Sequence, residues 1–220
     1  MSAELLETLE IETAPHPQAS IIWMHGLGAD GNDFAPLADE IDLPFGVRYI
    51  FPHAPPMPVS INGGYVMRAW YDISDAAIRR EDEAGVRASQ RSVEALLTHE
   101  KARGVAANRI VLAGFSQGGA IALHTGLRHA ERLAGIMALS TYVPLADKLA
   151  AEANPANRTV PIFMAHGTHD PMISVTRAKE SRDLLLQQGY APEWKEYPME
   201  HSVCPQEVAD IAGWLRRALV

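Results

Sequence analysis

A serine with a glycine two residues away on either side stands at Gly114-Phe115-Ser116-Gln117-Gly118. The preceding Ile110-Val111-Leu112-Ala113 has the character of a buried strand, and the following Gly118-Gly119-Ala120-Ile121-Ala122-Leu123 opens a helix. A serine on so sharp a strand-to-helix turn projects its hydroxyl from the carboxyl end of a sheet. Its neighbours must lack side chains there, because strand and helix approach closely. The turn also sets the Gln117 N–H at a helix amino terminus, where it can donate to an oxyanion. A serine hydroxyl is a poor nucleophile near neutrality, so the pattern predicts a base and an acid that orients the base.

Both follow later in the chain. Asp170 lies in His166-Gly167-Thr168-His169-Asp170-Pro171, a polar turn after the apolar run 160–165, and His201 lies in Tyr197-Pro198-Met199-Glu200-His201-Ser202. The order Ser116, Asp170, His201 is that of the α/β-hydrolases and differs from the chymotrypsin and subtilisin orders. Competing residues are less well situated. His169 shares a turn with Asp170 and points its side chain elsewhere, Glu200 adjoins His201 and is badly set to accept from its Nδ1, and His124 and His129 read as packing or surface capping on the helix behind the serine. His166, His169 and Asp170 suggest a metal site, but the proline and the lack of a further clustered ligand favour a structural turn, so no metal is expected. A second oxyanion donor should come from the loop after an early strand. His25-Gly26-Leu27-Gly28-Ala29-Asp30-Gly31 follows the run 20–24, and its glycines let the Leu27 N–H face Ser116. A glycine-rich loop can also cradle phosphate, yet no Gly-Lys-Ser/Thr follows, and Asp30 and Asp33 would repel it.

These residues require a scaffold that gathers distant loops at one end of a sheet. Short apolar runs at 20–24, 47–51, 109–115, 135–139, 160–165 and 193–197 read as strands, most of them buried on both faces. Between them, 83–103 is amphipathic with Val86, Val93, Leu96 and Leu97 on one face, and 175–188 ends before Gly189. A final helix starts at Pro205, carries Val208, Ile211, Ala212, Leu215 and Leu219 on one face, and has Arg216 and Arg217 in its last turn. Alternating strand and helix predict an α/β architecture, a mostly parallel central sheet with helices on both faces, to which 5–11 adds an edge strand. The 220 residues fit one domain over 1–220. The stretch 52–82, with Pro52, Pro55, Pro56 and Pro58 ahead of Gly63-Gly64, reads as a long irregular loop. It also carries Tyr71, and its Met67, Trp70 and Ile73 are expected to line a substrate pocket and set acyl preference, with 172–175 as the other candidate wall.

With 47% hydrophobic and 21% charged residues the composition is that of a soluble globular protein, which excludes disordered and disulfide-scaffold classes. A net charge of −8 argues against nucleic-acid partners and anionic membrane surfaces. The single Cys204 and an amino terminus reading Ser2-Ala3-Glu4-Leu5-Leu6-Glu7, unlike a secretory leader, point to the cytoplasm. No window approaches the ~18 apolar residues of a span, so no integral membrane association is expected.

Six blocks together resemble the phospholipase/carboxylesterase family of α/β-hydrolases, which includes small bacterial carboxylesterases and acyl-protein thioesterases. They are His25-Gly26-Leu27-Gly28, Pro52-His53-Ala54-Pro55, Arg68-Ala69-Trp70-Tyr71-Asp72, Gly114-Phe115-Ser116-Gln117-Gly118-Gly119-Ala120, His166-Gly167-Thr168-His169-Asp170 and Met199-Glu200-His201. The resemblance runs over nearly the whole chain. It implies a Ser116, Asp170, His201 triad, an oxyanion hole from the Leu27 and Gln117 amides, an open site without a cap domain, and often a homodimer. Ala29-Asp30-Gly31-Asn32-Asp33 and Tyr71 look closer to the bacterial esterases. The expected function is a serine carboxylesterase hydrolysing short- to medium-chain esters, and thioesters in addition, without a cofactor; its substrate is a small ester or an acylated molecule. An acyl-protein thioesterase or lysophospholipase is the alternative, and a non-catalytic hydrolase-fold binding module is a distant one.

Overall fold

Five strands have no solvent-facing residue: β2 (Ala19–Met24), β3 (Val47–Pro52), β6 (Ile110–Phe115), β7 (Gly135–Leu139) and β8 (Ile162–Gly167). Strands of this kind need cover on both faces, and side-chain alternation supplies two cores. Ile22 and Met24 of β2 face one way, together with Leu112 and Ile136, into a core shared with α2 (Glu83–Ala102), α3 (Gln117–Gly126) and α5 (Val175–Gln187). Ile21 and Trp23 face the other way, with Val111 and Met137, against α6 (Pro205–Ala218).

The computed structural model describes residues 5–75 and 81–219. With β1 (Thr8–Glu12) and β9 (Glu193–Tyr197), the sheet runs β1-β3-β2-β6-β7-β8-β9, antiparallel only at the β1–β3 edge. This is the expected mostly parallel α/β sheet. The reading of the amino terminus as leaderless rests in part on residues 1–4, and the stretch 52–82 includes 76–80; both segments lie outside the described residues.

Several expectations need correction. The edge strand is Thr8–Glu12 rather than 5–11, because its register on Pro52 to Arg48 is what satisfies its backbone. The stretch 52–82 is not simply irregular: β4 (Pro56–Val59) and β5 (Tyr65–Arg68) pair as an antiparallel hairpin across a 3₁₀ turn at Ser60–Asn62. Pro56 and Pro58 are compatible with this because β4 belongs to a two-stranded ribbon, which tolerates the missing donors. The strand expected at 160–165 is Ile162–Gly167, since His166 and Gly167 still pair with Glu196 and Tyr197 of β9. Two one-turn helices, α1 (Leu37–Glu40) and α4 (Leu149–Glu152), had no periodic signal to reveal them.

Candidate active site

Ser116 sits between β6 and α3 with φ 55° and ψ −121°, a conformation a non-glycine residue adopts only under constraint. Its N–H donates to Leu139 O at 2.8 Å, and its carbonyl accepts from Thr141 Oγ1 at 2.6 Å. The flanking glycines are dictated by backbone crossings. A Cβ on Gly114 would collide with the Gly118 backbone, and one on Gly118 would collide with the Met24 and His25 carbonyls.

Asp170 and His201 come from loops at the ends of β8 and β9. Gly167 lets these loops cross, since a Cβ there would run into the Met199 and Glu200 carbonyls. The Asp170 side chain is wholly buried. Its Oδ1 accepts the N–H groups of Met172 (2.8 Å) and Ile173 (2.9 Å), and its Oδ2 accepts from His201 Nδ1 at 2.7 Å. A proton on Nδ1 leaves the Nε2 lone pair free to act as a base. The His201 ring lies against Phe115, centroids 4.7 Å apart. His166 donates from Nε2 to Ile173 O at 2.8 Å, with Asp170 Oδ2 3.3 Å away. Burial lowers its pKa and keeps it neutral. Its role in holding the acid was not read from the sequence, where it appeared only as a turn residue or metal ligand. His169 and Glu200 are exposed. His124 is buried and donates to Gln90 Oε1 at 3.1 Å; burial, with Arg128 and Arg87 nearby, pushes its pKa down to about 3.

Leu27, Gln117, Ser116 and His201 line one cavity of about 540 Å³. The loop after β2 passes over the serine, so that a Cβ on Gly26 would stand 3.4 Å from Ser116 Cβ. Met67 and Ile73 line this cavity, as do Met172 and Ile173 from the segment after Asp170. Trp70 does not. It is 2% exposed and belongs to the core beneath the site, where its indole N–H donates to His25 O at 2.9 Å and its backbone N–H to Gln117 Oε1 at 2.8 Å. A buried indole needs an acceptor for its N–H, and the His25 carbonyl supplies one that the cavity wall would not. Its neighbour Tyr71 takes the wall position instead, its hydroxyl 2.8 Å from that of Tyr142. Sequence reasoning also missed the Gln117 side chain, which grips this wall by donating from Nε2 to Tyr71 O at 2.6 Å. Among the described residues no group of three or more His, Cys, Asp or Glu could hold a metal ion, and no helix is long and apolar enough to cross a membrane.

The sheet and the arrangement at its carboxyl edge are those of an α/β-hydrolase, and the protein is a serine hydrolase. It belongs to the phospholipase/carboxylesterase family, whose model matches residues 7–219. Acyl-protein thioesterase 1 of Cryptococcus neoformans is 38% identical over 233 residues, which cover 97% of this chain and 98% of that protein. Acyl-protein thioesterase 1 of Neurospora crassa is 41% identical over 217 residues, covering 91% and 87%. Among solved structures, acyl-protein thioesterase 2 of Zea mays superposes with a TM-score of 0.88 at 29% identity, covering 97% of this chain and 99% of that one.

Proposed function

We propose that the protein hydrolyses carboxylic esters with short- to medium-chain acyl groups, and thioesters of the same acids, through an acyl-enzyme on Ser116. His201 Nε2 takes the Ser116 hydroxyl proton as Oγ attacks the carbonyl carbon. The carbonyl electron pair moves to oxygen, where the N–H groups of Leu27 and Gln117 receive the charge. Collapse expels the alcohol or thiol, which takes the proton from His201. Water then attacks the acyl-enzyme with His201 as base, and the acid leaves as Ser116 regains its proton. Asp170 holds Nδ1–H throughout and balances the imidazolium. The observation that carries this reading is the 2.7 Å contact from His201 Nδ1 to a fully buried carboxylate, which selects the tautomer a base requires. Met67, Ile73, Met172 and Ile173, which line the cavity, offer the acyl chain an apolar bed.

An acylated protein as the substrate is the second reading, favoured by full-length relatives bearing the name acyl-protein thioesterase. The resemblance further supports a homodimer, which sedimentation at several concentrations would check, and the single Cys204 and the length of 220 residues support a cytoplasmic, single-domain chain. Turnover of p-nitrophenyl esters against a matched acyl-peptide thioester series separates the two substrate readings. A fluorophosphonate probe tests the chemistry itself: the parent should label and Ser116→Ala should not, whereas an unlabelled parent would leave only a binding module.

A further inference from the structure

His25 is 1% exposed and both its ring nitrogens face backbone. The Ala54 N–H donates to its Nε2 at 3.0 Å, and its Nδ1 lies 2.7 Å from Gly26 O. An amide N–H can only donate, so Nε2 carries the lone pair and Nδ1 carries the proton, which it gives to the Gly26 carbonyl. Burial lowers the pKa of this ring and keeps it in the neutral form that the two contacts demand. The Gly26 C=O and the Leu27 N–H belong to one planar trans peptide and therefore point in opposite directions. Drawing the carbonyl toward His25 turns the Leu27 N–H away from His25, while Gly26 itself sits over Ser116. The preceding peptide is fixed as well, since the His25 carbonyl accepts from Trp70 Nε1 and the two rings pack 5.4 Å apart. The Trp70 backbone N–H in turn donates to the Gln117 side chain, so one residue, through its indole and its backbone, ties together the two segments that carry the proposed oxyanion donors.

We propose that His25 is a positioning residue that aims the Leu27 N–H at the oxyanion, with Trp70 as the brace that keeps this donor in step with the Gln117 N–H. It touches no reacting atom. The proposal rests on the reading of the Leu27 N–H as an oxyanion donor, and its test distinguishes the two. A misaimed donor costs transition-state stabilisation without affecting ground-state binding, so His25→Ala should lower kcat about 100-fold, the scale of one lost oxyanion donor, and leave KM within about twofold. An acyl trifluoromethyl ketone, which adds to the serine and presents an oxyanion, should lose affinity by the same factor as kcat/KM. His25→Asn keeps an N–H for the Gly26 carbonyl and should recover at least about tenfold of that loss. Trp70→Phe keeps the ring but loses the indole donor. It serves as the test if His25→Ala does not fold: kcat and inhibitor affinity should fall together, by about fivefold, at unchanged KM. A rise in KM at constant kcat, or lost turnover with undiminished inhibitor affinity, would overturn the proposal. Replacing the Leu27 amide N–H by an ester oxygen is the control. If kcat and inhibitor affinity survive that replacement, the oxyanion reading fails and the proposal with it. If the ester loses both while His25→Ala, His25→Asn and Trp70→Phe lose neither, the role of His25 alone is refuted.

Discussion

Where β6, α3 and the loop after β2 cross, backbone meets backbone: Gly114, Gly118 and the carbonyls of Met24 and His25 leave no room for a single added carbon. The β4–β5 hairpin and the segment after Asp170 are built the opposite way, with Tyr65 70% exposed and Met172 69% exposed. The floor is constrained from both faces of the sheet and holds a strained serine as a result. The wall includes a two-stranded ribbon, from which Met67 lines the cavity. In the proposed function, chemistry is assigned to parts that tolerate no change in volume and substrate preference to parts with room to vary.

The strongest way to break this contrast is to remove chemistry from the floor without altering its shape. Ser116→Ala should lower ester turnover on the order of 10⁴ to 10⁶ with an unchanged circular dichroism spectrum, and residual activity above roughly 1% would remove Ser116 from the mechanism. Altering the shape instead of the chemistry should be costly in another currency. Gly118→Ala forces a Cβ into two carbonyls and should cost about 3 kcal/mol, seen as a Tm lower by about 6–12 °C; a melting curve matching the parent would show that the floor can yield.

Glu207 sharpens the comparison from a helix outside the cavity. It lies in the first turn of α6, shortly after the His201 loop, and is fully buried. Burial, with a smaller contribution from Asp210, pushes its carboxyl up to about 8 from an ordinary 4.5. Below the ordinary value both folded and unfolded chains hold this proton. Between there and about 8 only the folded chain does, so this residue makes stability fall as pH rises through that window. Glu207→Gln should be level with the parent at pH 4 and more stable at pH 6 by about 2 kcal/mol, or about 4–8 °C in Tm. Calorimetry showing equal melting at both pH values would contradict the assignment. The smallest effect belongs to the wall. Alanine at both Met67 and Ile73 should change the ratio of butyrate to octanoate ester turnover by about tenfold, in keeping with the modest worth of apolar pocket contacts, while the Tm stays within about 3 °C. An unchanged ratio would shift the acyl chain onto Met172 and Ile173.

Local pattern made the floor legible. A serine between two glycines, after a buried strand and before a helix, has few conformations open to it, and the order of Asp170 and His201 along the chain follows from the order of strands that deliver them. The wall was half legible. Met67 and Ile73 were found because an apolar residue in a polar, proline-rich stretch needs a reason to be there, but the same reasoning put Trp70 in the cavity and overlooked the hairpin.

Sequence pattern alone marked Ser116, Asp170 and His201 as the candidate nucleophile, acid and base and located the main runs of the central sheet, because elbow glycines and buried strands are encoded within a few neighbouring positions. Only the tertiary structure decided the partners: that the indole of Trp70 would find His25 O, that His166 would belong to β8 and support Asp170, that Tyr71 would meet Tyr142, and that Glu207 would be buried. An aromatic, a histidine or a glutamate looks the same in wall, core or solvent until the polar atoms within reach of it are known. Those atoms come from segments about 45 residues away in the case of Trp70 and 71 in the case of Tyr71, brought together by the packing of the sheet.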